Sequence, residues 1–567
     1  MSDRVRIYQL FVRHFGNTNE SRVPGGTIVQ NGCGKFVDIT ERALEEIKEM
    51  GFTHVWLTGV LEHASGTSYP NRPADNPVLL KGRAGSPYAV KDYFDVCPDY
   101  ACDPENRLEE FKELLARCKS VGLKVVIDFV PNHVARSYGS DVEPDLSFGK
   151  GDDVRQFFHR ENHFFYLEGE WKMQLPGGLY EPEVHGRVTG NNAATWSPSP
   201  NDWYETVKLN YGHDYRTGRD TSHLPGPEAE LHEVPKTWRT MDAILSHWQL
   251  MGVDGFRCDM AHMVPMEFWR WAVRQARWRN PEVYFMAEAY DGDPAKLTDE
   301  NVLHALLGAG FDSVYDGDSY ELVKQIYEGD KWANDLDDIL WDERKLNQML
   351  RYAENHDEVR IASPKHWGGH GLKVGVPVTA FLLGVGRGPC MLYNGQEVGE
   401  PAIGSEGFSG DDGRSSIFDY WSLPEFCKWV HGGAYDGGLL SEQQKELREW
   451  YAGWIQLMGE PAFSRGDVFG LNYINRDNEH FGRAEGEDVS GKWMYAFLRR
   501  DQKSGQAFLV VIHFNPWQKA QEVEVRLSQE AREWIGHEVA HKVVIGEMAP
   551  CGVEVVEFWG DFEVEEI

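Results

Sequence analysis

The sequence predicts an α/β chain: a closed parallel (β/α)8 TIM barrel with an inserted domain after its third strand and a C-terminal antiparallel β-sandwich domain. Three features carry this expectation. Short apolar runs alternate with amphipathic helical stripes eight times, that rhythm lapses over residues 139–235, and the chain closes with five strand-like runs divided by turns. At 567 residues the chain is too long for one ordinary core, so the domains are expected at 1–138 and 236–460 for the two parts of the barrel, 139–235 for the insertion and 461–567 for the terminal β domain.

The first strand is RIYQLFV, Arg6 to Val12. A helix follows, with Asp38 or Thr40 as its cap, Leu44, Ile47 and Met50 on one face and Gly51 as its stop. Thr53 to Thr58 is the second strand; Leu108, Phe111, Leu115 and Cys118 stripe the next helix, which Gly122 ends. KVVIDFV, Lys124 to Val130, is apolar on both faces, as buried parallel strands are. After the interruption a helix around Met241 to Met251 leads to strands at Gly255 to Asp259, Tyr284 to Glu288, Phe311 to Tyr315, Tyr352 to Asn355 and Cys390 to Tyr393. Beyond a last helix near Gln443 to Met458, the runs WMYAFLRR, AFLVVIHFN, EVEVRL, HKVVIG and VEVVEFW read as antiparallel strands.

Composition narrows the function. A formal charge of −33 opposes binding to nucleic acid or to an anionic membrane, both of which need clustered Lys and Arg, and favours a neutral substrate. Twenty tryptophans exceed what cores usually take, and indole rings suit the flat apolar faces of sugars. The eight cysteines are scattered without ligand pairs or a disulfide framework, no run approaches a membrane span, and the first residues lack a cleavage site; a cytoplasmic location is expected.

Polar residues gather where the barrel strands end. The third runs into Asp128-Phe129-Val130-Pro131-Asn132-His133, the fourth carries Arg257 and Asp259, the fifth ends at Glu288, and the seventh at Glu354-Asn355-His356-Asp357. A barrel places its chemistry at that rim. Acids, histidines and an arginine at one mouth suit retaining glycoside cleavage, in which one carboxylate attacks the anomeric carbon while a second carboxyl, about 5 to 5.5 Å away, protonates the leaving oxygen. Asp259 would be the nucleophile, kept ionised by Arg257, and Glu288 the acid and base.

DFVPNH, GFRCDMAHM, FMAEAY and ENHD resemble, in order and spacing, the four short motifs of glycoside hydrolase family 13, the α-amylase family; GFTHVWLTGV, GPCMLYNGQE and VKLN agree with its second strand, its eighth strand and a motif late in its insertion. The resemblance implies Asp259 as nucleophile, Glu288 as acid/base and Asp357 as the third acid, which grips sugar hydroxyls. It further implies His133, Arg257 and His356 in the same sugar subsite, Tyr88 as a stacking platform and Arg360 as a substrate contact or the partner of an acid. The family's calcium sites often use the asparagine found here as Asn132 and a carbonyl near Met263, together with acids of the insertion; the resemblance thus implies a calcium site at Asn132, while the sequence does not single out the acids that complete the roughly six to eight oxygens a hard cation takes. The implied activity is hydrolysis of α-1,4-glucosidic bonds in α-glucans or malto-oligosaccharides, with the insertion's Trp196, Trp203 and Tyr204 walling the cleft. An α-glucanotransferase would use the same residues.

Two readings from other classes compete. HEVAH, His537 to His541, fits the zinc pattern in which two histidines one helical turn apart hold the metal, although it lies among strands. A sugar-binding barrel without catalysis predicts that one of the acids is missing, and none is.

Overall fold

The computed structural model describes residues 4–404, 408, 410–536, 539–558 and the backbone of 565–566. Eight parallel strands close into a barrel: β1 (Arg6–Phe11), β2 (His54–Thr58), β3 (Lys124–Phe129), β4 (Gly255–Cys258), β5 (Tyr284–Ala287), β6 (Ser313–Tyr315), β7 (Met349–Tyr352) and β8 (Cys390–Tyr393), each paired with its sequence neighbours and β8 with β1. One helix of the outer ring follows each strand in turn: α1 (Glu41–Glu49), α2 (Arg107–Ser120), α3 (Lys236–Met251), α4 (Met266–Arg279), α5 (Val302–Ala309), α6 (Gly317–Glu328), α7 (Gly375–Gly384) and α8 (Glu442–Leu457). Thr40 is the cap of α1, its side chain accepting from Ala43 N, and Gly51 takes a left-handed φ of 102° just past the helix end.

The seventh strand lies three residues earlier than the sequence suggests. Tyr352 is its last residue, because the polar residues beyond it close a turn instead of joining the ladder: Asn355 Oδ1 accepts from Asp357 N at 2.8 Å and Glu358 N at 3.0 Å. The sixth begins at Ser313, since the Asp312 carboxylate turns back to accept from Phe285 N at 2.8 Å. Asp259 and Glu288 each stand one residue past a strand, at the carboxyl rim.

Between β3 and α3 the insertion is made largely of loops and short ribbons. His133–Ala135 pairs antiparallel with Thr206–Lys208, so the segment leaves and returns beside the end of β3. A buried ion pair, Arg136 Nη1 to Glu183 Oε1 at 2.8 Å, ties its interior together.

At the C-terminus, β9 (Asp467–Gly470), β10 (Met494–Arg500), β11 (Ala507–His513) and β14 (Val553–Phe558) form one antiparallel sheet, extended by Glu565–Glu566, while β12 (Ala520–Arg526) and β13 (Lys542–Met548) form a separate ribbon. Alternation divides the sheet's faces: Met494, Ala496 and Leu498 pack with Val523 and Val525 of the ribbon, whereas Tyr495 and Phe497 join the barrel core, the Tyr495 ring lying 5.0 Å from Phe381 of α7. β9 escaped the sequence reading because its residues are only half buried and carry a weak apolar pattern. Of the zinc pattern, Val539 and Ala540 lie in neither helix nor strand, between the helix Gln529–Ile535, which ends at Gly536, and β13, which begins at Lys542; His537 and Glu538 lie outside the described residues. No helix of the described residues is long and apolar enough to cross a membrane.

A buried ion pair joins β7 to the start of α6. Arg351 Nε donates to Asp316 Oδ2 at 3.0 Å, and Asp316 also caps α6 through Ser319 N. Replacing Asp316 by Ala strands a fully buried guanidinium, so the variant should lose about 3–5 kcal/mol of unfolding free energy in a denaturant titration; a loss below about 1 kcal/mol would contradict this role.

Candidate active site

A cavity of about 290 Å³ opens at the carboxyl rim, lined by Asp259, Glu288 and Asp357 with Tyr88, His133, Trp203 and Tyr290. Beneath it lies Arg257, fully buried on β4. Its Nη1 lies 2.7 Å from Asp259 Oδ1 and 3.5 Å from Asp128 Oδ1, its Nη2 lies 2.8 Å from Glu288 Oε2, and Nε donates to Tyr315 Oη at 3.3 Å. Trp56 and Tyr88 hold their rings over the guanidinium, each with its centroid 5.2 Å away. One cation thus sits among three carboxylates.

The strand ends explain the convergence. Asp259 N bonds to Phe129 O and Glu288 N to Cys258 O, which continue the β3–β4–β5 ladder one residue past the strands and fix both carboxylates at one level. Met260 then takes a left-handed φ of 44° and turns its N–H onto Glu288 Oε2 at 3.0 Å, while Tyr290 Oη donates to Glu288 Oε1 at 3.0 Å. Tyr290 was not singled out from the sequence, although its position two residues after Glu288 was the available signal.

Burial and the adjacent Glu288 carboxylate push the Asp259 carboxyl well above the ordinary range, against the pull of Arg257. Two carboxylates share one guanidinium, so the pair retains a proton to a pH at which isolated acids have lost theirs. Asp357 behaves in the opposite way. Burial would raise it, but His356, 3.0 Å from Oδ2, and Arg257 outweigh that and hold it below the usual value.

His356 supports this corner more than it lines the cavity. It is buried, with Gln9 Nε2 2.9 Å from its Nδ1, Tyr88 Oη 2.5 Å from its Nε2, and the Tyr88 ring stacked on it at 5.2 Å. His133 faces the cavity with Trp203 against its ring, and burial together with nearby Lys208 pushes its imidazole down to about 3, so it is neutral.

Three expectations change. Arg360 does not reach the cavity: three residues after Asp357 the chain has turned back, and the guanidinium pairs with Glu354 Oε2 at 2.8 Å and lies over the Tyr393 ring at 4.1 Å. Of the insertion's aromatic residues, Trp203 lines the cavity, whereas Trp196 and Tyr204 pack around Leu79, Met173 and Tyr180. Asn132 is not free for a metal. Its Oδ1 accepts from the buried Lys208 ammonium at 2.7 Å and its Nδ2 donates to Gly190 O at 2.8 Å. A lysine from the returning strand of the insertion therefore fills the place the resemblance assigns to calcium, and these residues do not fit a hard cation. Among the described residues, one carboxylate cluster has metal-ligand spacing, Glu62, Asp92 and Asp95; Arg72 bridges Glu62 and Asp95, and Arg107 also pairs with Asp95.

A closed parallel barrel with paired carboxylates and an arginine at its carboxyl rim defines a class of enzymes acting on glycosidic bonds. The chain belongs within that class to the alpha-amylase family: the family model "Alpha amylase, catalytic domain" matches residues 9–417. Similar curated proteins include the alpha-1,4-glucan:maltose-1-phosphate maltosyltransferase of Corynebacterium glutamicum, 23% identical over 92% of this chain and 60% of that protein. Another is the cyclomaltodextrinase of Geobacillus thermopakistaniensis, 21% identical over 90% of this chain and 75% of that one. Maltase A2 of Drosophila melanogaster is 23% identical over 45% of this chain, which spans about a third (35%) of that protein's length. Among solved structures, an alpha-amylase from Lactobacillus plantarum superposes with a TM-score of 0.58 at 20% identity, covering 98% of this chain and 99% of that one. A cyclic alpha-maltosyl-(1-->6)-maltose hydrolase from Arthrobacter globiformis gives 0.59 at 17% identity, with 98% of each chain covered.

Because Asn132 spends its Oδ1 on the Lys208 ammonium, treatment with a chelator should leave both turnover and melting temperature unchanged, and loss restored by calcium would contradict this reading. Lys208→Ala should instead cost about 1–3 kcal/mol of stability by leaving buried Asn132 Oδ1 without its donor.

Proposed function

We propose that this protein is a retaining α-glycosidase that hydrolyses α-1,4-glucosidic bonds of α-glucans or malto-oligosaccharides through a covalent glycosyl-enzyme. The observation that carries the reading is Arg257 bridging Asp259 and Glu288 at a cavity that Asp357 also lines.

In the first step the Asp259 carboxylate attacks the anomeric carbon, the bond to the leaving oxygen breaks, and the proton of the pair passes from Glu288 to that oxygen. Water then attacks the same carbon, Glu288 takes its proton, and the bond to Asp259 breaks. Arg257, 2.7 Å from Asp259 Oδ1, stabilises the anionic nucleophile against the burial and the Glu288 charge that oppose its ionisation, and does so again after the second step, when Asp259 regains full charge. Asp357, held ionised, accepts from sugar hydroxyls, and neutral His133 offers a second polar contact on the same side. Tyr88, pinned by His356 and Asp128, supplies a flat face to the ring. Hydrolysis is favoured over transfer because it needs no dedicated acceptor site. The eight unpaired thiols support a cytoplasmic setting.

Products from one defined malto-oligosaccharide, separated by length over time, test the reading: hydrolysis yields shorter chains alone, and early products longer than the substrate would replace it with a glucanotransferase. Asp259→Asn should lower kcat by on the order of 10⁴ or more with the fold intact. Removal of the charge in Arg257→Met should cost about 10²–10³. The pH dependence of kcat/KM should be bell-shaped. Below the lower limb both carboxyls are protonated and the nucleophile is lost; above the upper limb the shared proton is lost and the leaving oxygen goes unprotonated. Since the Asp259 shift is upward and activity requires its carboxylate, the lower limb should lie above the ordinary carboxylate range. Glu288→Gln should abolish the upper limb and retain glycosyl transfer from an aryl α-glucoside whose leaving group needs no acid. A variant as slow on the aryl glycoside as on maltose would contradict the assignment of Glu288.

A further inference from the structure

A cavity larger than the catalytic one lies elsewhere among the described residues. At the amino end of the barrel, opposite the catalytic rim, a basin of about 1070 Å³ is framed by residues just before or at the start of several barrel strands and by two loops of the C-terminal region, around Arg465 and Lys503. Seven Lys or Arg side chains line it against three Asp or Glu, in a chain whose net charge is −33. Such local reversal of sign is the opposite of what an average surface of this protein would present.

Three of the cations are neutralised locally, Arg277 by Asp312 at 2.9 Å, Arg465 by Asp501 at 2.8 Å and Arg387 by Asp467 at 2.7 Å. The others are not. Lys124 and Lys503 make no side-chain hydrogen bond or ion pair among the described residues, and Lys48 donates to a backbone carbonyl, Gly122 O, at 3.0 Å. Arg4 is buried in the wall, and its guanidinium donates to the carbonyls of Gly388 and Leu383 at 2.7 Å each, with no carboxylate beside it. Behind it Arg499, fully buried, likewise spends its donors on carbonyls, those of Val385 at 2.9 Å and Gly466 at 2.8 Å among them. Carbonyls satisfy the hydrogen bonds of a guanidinium without cancelling its charge, so the positive field of both arginines reaches the basin through low-dielectric protein. His54 at the basin's edge lies in the field of its lysines: burial first, then Lys124, Lys48 and Arg6, push its imidazole down to about 3.

We propose that this basin binds a sugar phosphate, its phosphate on Lys48, Lys124 and Lys503 and its hydroxyls on the side-chain amides of Asn347 and Gln348. The two amides line the same cavity, and neither side chain makes a hydrogen bond within the chain among the described residues. The cavity is larger than inorganic phosphate needs and lies at the upper end of the size range of small-molecule sites. The ligand offsets the charge of Lys48, Lys124 and Lys503, which no ion pair among the described residues neutralises, so it stabilises the closed amino end of the barrel, far from the carboxylates that do the chemistry.

Calorimetric titration of the full chain with glucose 6-phosphate at fixed ionic strength tests this. We expect saturable binding, no heat from glucose alone, weaker binding of inorganic phosphate, and a Kd at least tenfold higher in the double variant K124E/K503E. That variant should keep the turnover of the unliganded enzyme, and Asp259→Asn should bind the sugar phosphate as the unsubstituted protein does, which separates this site from the catalytic one. No saturable binding, or binding that K124E/K503E leaves unchanged, would overturn the proposal. Inorganic phosphate binding as tightly as the ester would overturn the assignment of a sugar body.

Discussion

Arg257 is the constraint on which the site depends. A guanidinium removed from water at the centre of a barrel is expensive unless acids surround it, and acids placed together without a cation repel. Here each side of that difficulty resolves the other: one arginine, capped by the rings of Trp56, Tyr88 and Tyr315, holds Asp259 and Glu288 at short range and Asp128 a little farther away. Because the charges do not balance, a proton stays in the cluster. An ionised carboxylate and a protonated one, side by side, are what nucleophilic displacement with acid assistance requires.

The barrel makes that cluster rigid. Parallel strands in register bring the residue after β4 and the residue after β5 to one level, and the adjacent β3 contributes Asp128, which also accepts from Gly59 N and Trp56 Nε1. The insertion adds a wall, with His133 and Trp203 brought in by the short ribbon that pairs beside β3. Its return beside β3 is fastened by the buried Lys208 ammonium on Asn132 Oδ1, and burial pushes that ammonium down to about 7, opposed by Asp293.

Much of this was legible in the residues. Alternation of apolar runs with helical stripes placed seven of the eight barrel strands, because a buried parallel strand leaves a dense apolar signature. The polar residues at the strand ends marked the rim, and Asp259, Glu288, Asp357, Tyr88 and His133 do share one cavity. What the sequence concealed depended on the direction of a turn. Met349-Leu350-Arg351-Tyr352 reads poorly as a strand because Arg351 interrupts it, and only the buried Asp316 makes that arginine acceptable. Arg360 looked like a rim residue until the turn after Asp357 carried it back to Glu354. Lys208 sits in a motif that was recognised, but its reach to Asn132 depends on the pairing of two strands some seventy residues apart in the chain, which no local pattern encodes.

The central claim is that Asp259 becomes covalently bonded to the substrate. A fluorinated activated α-glucosyl donor, which slows the second step more than the first, should add one glycosyl unit to the intact protein, and peptide mapping should locate it on the segment bearing Asp259. A glycosyl unit found on any other carboxylate, or inactivation without an adduct in protein that turns over substrate normally, would contradict the account.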